Sequence, residues 1–105
     1  MVVWSDPAKA DLRHIFEYIA HDSHHYAKKV TQEIVDKTGV LNELPRVGRA
    51  VPEVDDDNVR ELSLYTYRIL YEINGQDIYI LAVAHKRQEL KAGGDSAPAV
   101  VTTLI

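Results

Sequence analysis

Tyr67-Arg68-Ile69-Leu70-Tyr71-Glu72-Ile73-Asn74-Gly75-Gln76-Asp77-Ile78-Tyr79-Ile80-Leu81-Ala82-Val83-Ala84-His85 reads as two runs rich in Ile, Leu, Val and Tyr, parted by Asn-Gly. Such runs suit pleated strands, whose successive side chains point to opposite faces. Asn74-Gly75 is the best local signal for a tight hairpin, because both central residues of that turn take positive φ. With Asn74 and Gly75 as the loop, Ile73 faces Gln76, Tyr71 faces Ile78 and Ile69 faces Ile80. Parity then puts Tyr67, Ile69, Tyr71, Ile78, Ile80 and Ala82 on one face, and Arg68, Leu70, Tyr79, Leu81, Val83, His85 and Arg87 on the other. Residues 78–84 are apolar on both faces, which predicts a central strand.

Upstream, Val59–Leu64 has the same period and predicts a third strand. The stretch before it, 45–58, holds Gly48, Pro52 and Asp55-Asp56-Asp57, and predicts a surface loop. Further back the period becomes helical. Ser5-Asp6-Pro7 supplies a capping side chain and a proline whose missing N–H is harmless in a first turn, and an apolar stripe follows, so a helix is predicted over 6–21. His21-Asp22-Ser23-His24-His25 interrupts the stripe, and a second helix is predicted from 24 to 44, ending near Pro45. So short a connection makes the pair an antiparallel helical hairpin. Its Leu12, Ile15, Phe16, Ile19, Val30, Ile34 and Leu41 are expected to pack on Ile69, Tyr71, Ile78 and Ile80.

Met1–Trp4 is short and apolar and is placed as an additional strand. Residues 91–98 are small, polar and glycine-rich, while Val100-Val101-Thr102-Thr103-Leu104-Ile105 is either a last strand or an unpaired end. The expected fold class is α+β: an N-terminal strand, an antiparallel helical hairpin and a three-stranded antiparallel sheet over 1–90, then a tail or extra strand over 91–105.

A chain of 105 residues is the usual size of one domain, with room for one modest core. It contains no cysteine, which excludes a disulfide framework, a thiolate metal site and a thiol nucleophile, and fits a reducing cytoplasm. The first residues lack the basic and apolar regions of an export signal, and no apolar run approaches bilayer length, so a cytoplasmic protein is expected. The net charge of −4 argues against a broad phosphate-neutralising surface but leaves room for a local basic site.

His21, His24 and His25 sit in a polar interhelical turn without a fixed further ligand, and Asp55-Asp56-Asp57 reads as a solvated loop. Neither predicts a metal, and no cofactor is expected. Trp4 and the six tyrosines take core packing as their default role.

In this order of elements, Trp4-Ser5-Asp6-Pro7-Ala8, Leu44-Pro45-Arg46-Val47-Gly48-Arg49, Val59-Arg60-Glu61-Leu62, Tyr67-Arg68-Ile69-Leu70-Tyr71 and His85-Lys86-Arg87 recur at family-like spacing. From Val3 to Gln88 the chain resembles the ParE/RelE superfamily of type II toxin–antitoxin toxins. The resemblance implies a toxin in a hetero-oligomer with a cognate antitoxin, and one of two targets. ParE-like members inhibit DNA gyrase; RelE-like members cut messenger RNA in the ribosome.

Metal-independent RNA cleavage needs a base for the 2′-hydroxyl, cations for the developing phosphate charge and an acid for the leaving oxygen. By resemblance to the RelE-like branch, Arg68 and Arg87 match two arginine positions, with His85 as a candidate base and Arg60 ranked last. Arg60 falls on the apolar face if Tyr65-Thr66 is a two-residue loop, and on the Arg68 face if the loop is one residue longer. Arg68, near Glu72 or Glu61, also reads as a structural ion-pair or antitoxin-docking residue. Arg60-Glu61 offers one cation followed by an acid, and residues 88–94 contain no tyrosine or histidine. Scarce cations and the acidic balance favour the gyrase branch, with the ribosome-dependent mRNA endonuclease as the alternative.

Overall fold

The computed structural model describes residues 1–87, 90–93 and 99–102. Strand β1 (Val2–Trp4) leads into helices α1 (Asp6–Ala20) and α2 (His24–Thr38), followed by a 3-10 turn at Gly39–Asn42. Then come β2 (Arg49–Ala50), β3 (Val59–Leu64), β4 (Tyr67–Asn74) and β5 (Asp77–His85). The sheet order is β1-β5-β4-β3-β2, antiparallel except that β1 runs parallel to β5. The tail carries β6 (Leu90–Gly93) and β7 (Ala99–Thr102), an antiparallel pair. It is therefore strand on both sides of 94–98, where the sequence offers a strand only over 100–105. The part of that reading on 103–105 lies outside the described residues.

Both helices start where side-chain caps allow. Ser5 Oγ accepts the Ala8 N–H at 3.2 Å, and Ser23 Oγ accepts that of Tyr26 at 3.1 Å, each satisfying a donor that the first turn leaves unpaired. The α-helix of α2 ends at Thr38 rather than 44. There the Thr38 hydroxyl bonds back to the Val35 carbonyl at 2.7 Å, Gly39 is a weak helix former, and the chain tightens into the 3-10 turn.

The β4–β5 turn is Gly75-Gln76, closed by Asn74 opposite Asp77, with only Gly75 at positive φ (62°). A two-residue hairpin with glycine first needs no positive φ at its second position. Ile73 therefore faces Ile78 and Tyr71 faces Ile80, two residues along β5 from the expected partners. Moving the turn by one residue in each strand changes partners and keeps faces. A bulge does change them: Leu70 pairs with Ala82 and Tyr71 with Ile80, so Leu81 is the extra residue. Beyond it parity inverts. Val83 and His85 join the Ile69 and Tyr67 face, while Ala82 and Ala84 join the Leu70 and Arg68 face. The expected placements of Ala82, Val83 and His85 are corrected accordingly.

The edge at the bulge is capped from the helix side. Ser5 Oγ donates to the Leu81 carbonyl at 3.3 Å and the Asp11 carboxylate accepts the Val83 N–H at 3.0 Å. Burial pushes the Asp11 carboxyl upward, against the pull of that hydrogen bond.

The main core joins Ala8, Val30, Ile34 and Leu41 to Leu62, Ile69, Tyr71, Ile78, Ile80 and Val83. Leu12, Ile15 and Ile19 flank it half-buried. Phe16 instead packs edge-on against His24 of α2, with ring centres 5.2 Å apart. A second core lies on the opposite sheet face. There Val51 and Val59 meet Leu70, Ala82 and Ala84, flanked by Val54 and Leu81. The 45–58 stretch thus contains β2 and buries Val51, which corrects the reading of it as a plain surface loop.

Tyr71 fixes the start of that stretch, donating its hydroxyl to the Pro45 carbonyl at 2.7 Å and accepting the Gly48 N–H at 3.0 Å. A Cβ on Gly48 would stand 2.6 Å from both the Glu61 carbonyl oxygen and the Tyr71 hydroxyl. Gly48→Ala must push β2 away from β3 and should cost about 1–3 kcal/mol. A denaturant midpoint equal to that of the unsubstituted chain would contradict this packing.

Candidate functional site

The face turned away from the helices carries a cluster of charged residues. Arg49 pairs with Glu61 across β2–β3, Ser63 with Arg68 across β3–β4, and Arg68 with Ala84 across β4–β5, so these side chains share that face. The loop residue Glu53 reaches over it. Arg68 donates from Nη1 to Glu53 Oε2 at 2.8 Å and from Nη2 to Glu53 Oε1 at 2.9 Å, a bidentate pair. Its Nε donates to Glu61 Oε2 at 2.7 Å. Arg49 Nε donates to the other Glu61 oxygen at 2.6 Å. The Glu61 side chain is fully buried and that of Arg68 is 10% exposed. Glu72, the other acid considered for Arg68, pairs in register with Val59 and Tyr79.

The hydrogen bonds to Glu53, then those to Glu61, hold the Arg68 guanidinium still more firmly charged than usual, against the opposing pull of burial. The same bonds hold the Glu53 carboxyl below its ordinary value of 4.5. A carboxylate depressed by folding contributes stability that is complete above its unfolded pKa and is lost as the pH falls through the folded one. Asp11 and Glu72, both raised chiefly by burial, act in the opposite sense, since protonation relieves them. Acidification below about pH 4.5 should therefore lower the melting temperature of Glu53→Gln less than that of the parent chain. Parallel melting curves would show that the clasp contributes nothing.

The other candidates lie elsewhere. Leu64 faces Tyr67, so Tyr65-Thr66 is the two-residue loop, with Tyr65 at φ 55°. Arg60 accordingly stands opposite Tyr71 on the helix face. Its Nε donates to the Gly48 carbonyl at 2.8 Å and its Nη1 to the Asp57 carbonyl at 3.0 Å, pinning the loop. His85 lies edge-on to Tyr67 on the helix face, with ring centres 6.0 Å apart. Its Nδ1 accepts the Arg87 N–H at 3.1 Å, and Arg87 is an exposed turn residue. The structure therefore brings Arg68 together with two carboxylates and sets His85 and Arg60 on the opposite face.

A depression of about 590 Å³ opens beside Arg68, lined also by Arg49, Pro52, Glu53, Ser63 and Lys86. Sequence reading named Arg68 from this group, and Glu61 as one neighbour, but missed Glu53, Arg49, Ser63 and Lys86. The available signal was parity, which puts Glu61 and Ser63 on one face of β3. Among the described residues no cluster of His, Cys, Asp or Glu is arranged to hold a metal ion. No helix there is long and apolar enough to cross a membrane.

The architecture is thus a small α+β fold, a helical hairpin on a five-stranded mixed sheet, with a charged outer face around Arg68. The family model for the ParE toxin of the type II toxin–antitoxin system parDE matches residues 2–90, and the chain belongs to that family. A solved structure described as the chromosomal ParDE toxin–antitoxin system from P. aeruginosa superposes with a TM-score of 0.68 at 26% identity. The match covers 80% of this chain and 92% of that one. No curated protein matches. The chain is a ParDE-type toxin of a toxin–antitoxin system, which implies an antitoxin partner.

Proposed function

We propose that the chain arrests growth by binding and inhibiting DNA gyrase, and that its cognate antitoxin neutralises it in a cytoplasmic hetero-oligomer. The observation that carries this reading is the pair of carboxylates on Arg68. A scissile phosphate would have to displace Glu53 and approach the buried charge of Glu61, which opposes the developing negative charge that a nuclease must stabilise. Arg60 is bonded into the loop, and His85 stands across the sheet from Arg68. What supports the reading is thus a site built to hold its own ions. A gyrase poison needs a protein contact surface, where a few anchor residues dominate, and no reacting group.

Expression of the chain alone should stop growth, and co-expression with its antitoxin should restore it and raise soluble yield. Translating ribosomes given the purified chain and a defined message should leave that message intact. Harmless expression in several bacterial hosts would remove the toxin reading, and cuts positioned at codons would replace gyrase by the ribosome.

A further inference from the structure

The depression beside Arg68 has a charge count that the ion cluster does not use up. Among the described residues Arg49, Arg68 and Lys86 bring three positive charges to it, and Glu53 and Glu61 bring two negative ones, leaving one positive charge. The donors left over are on the rim. Arg49 uses only Nε toward Glu61 and its side chain is 72% exposed. Lys86 and Ser63 are exposed, and among the described residues no ion pair of Lys86 and no side-chain hydrogen bond of Ser63 is formed. A guanidinium, an ammonium and a hydroxyl thus line one concavity around a surplus of one unit charge.

Beside it the sheet edge is open. β2 pairs only with Arg60 and Glu61, so β3 from Leu62 to Leu64 has no neighbour on that side among the described residues. In a two-residue hairpin the closing pair Leu64–Tyr67 exchanges hydrogen bonds and the next pair does not, which turns the Ser63 peptide groups toward the open edge. An extended segment laid there would present every second side chain to the outer face.

We infer that the depression is a receptor for one carboxylate, an Asp or Glu side chain of the antitoxin, held by Arg49, Ser63 and Lys86. This rests on the proposed pairing with an antitoxin. A run of phosphates does not fit, because one surplus charge matches one monoanion and Glu53 and Glu61 repel the rest. A single carboxylate can take charge-assisted hydrogen bonds from Lys86 and Arg49 while the Arg68 clasp stays closed.

The test is the affinity of the co-purified toxin–antitoxin pair, measured by calorimetry for the parent chain, Lys86→Ala, Lys86→Arg and Arg49→Ala. Lys86→Ala should weaken binding on the order of tenfold and Lys86→Arg should restore most of it. Replacing the antitoxin's acids one at a time by their amides should reveal one position whose loss is not additive with Lys86→Ala. Among the described residues Lys86 makes no ion pair, so its variants report binding even if Arg49→Ala disturbs Glu61. A tight parent complex with every variant within about twofold of it would overturn the inference and leave the antitoxin pairing standing. Absence of any complex would overturn both. Binding of a short single-stranded RNA that is lost in Lys86→Ala would reassign the site to phosphate.

Discussion

Arg68→Ala should lower the unfolding free energy by about 3 kcal/mol, because it leaves the fully buried Glu61 carboxylate with Arg49 as its remaining cation and releases Glu53 from the sheet. Breaking one partner of a buried pair is costly, whereas replacing the whole group by apolar residues of similar volume is often neutral. Arg68→Met combined with Glu61→Leu should therefore recover most of the lost stability, as read from denaturant midpoints. The pattern also separates folding from chemistry. A toxin that regains both stability and toxicity in the double variant uses Arg68 as an ion-pair residue; one that regains stability and stays harmless uses it on a target. An Arg68→Ala midpoint equal to the parent's would mean that the cluster is a solvated surface pair of little worth.

Ile69→Ala should cost about 3–5 kcal/mol, since Ile69 has no exposed surface and sits between the helices and β4's neighbours in the main core. Leu12→Ala should cost less, about 1–2 kcal/mol, because Leu12 is half-buried at the flank. The difference is a large share of a small domain's stability and is readable as separate thermal midpoints. Equal midpoints for the two variants would show that the hairpin seats differently on the sheet.

The residues that announced the fold were those whose local chemistry leaves few alternatives. Ser5-Asp6-Pro7 and Ser23 start helices because they cap them, and Val59–Leu64 is a strand to the residue because its branched residues, alternating from Glu61 to Leu64, lie between turn formers. The bulge at Leu81 gave no such signal: Ile80 to Ala84 is apolar on both faces, so inserting one extra residue leaves no polar residue visibly misplaced. That one residue carried His85 across the sheet and dissolved the expected grouping with Arg68. The Asn74-Gly75 dipeptide marked the hairpin and missed its position by one, because glycine first in the turn serves as well as glycine second. Glu53 lies fifteen residues from Arg68 in a stretch that reads as loop. Only the burial of Val51 on the second core brings it within reach, and that burial is a tertiary effect with no local period.

The most direct measurement is DNA supercoiling by purified gyrase with the purified chain added in rising amounts. The account predicts that supercoiling falls with dose, that the antitoxin restores it, and that a message on translating ribosomes stays whole under the same conditions. Unchanged supercoiling together with codon-positioned cuts, abolished by Arg87→Ala in a chain that still folds, would contradict it.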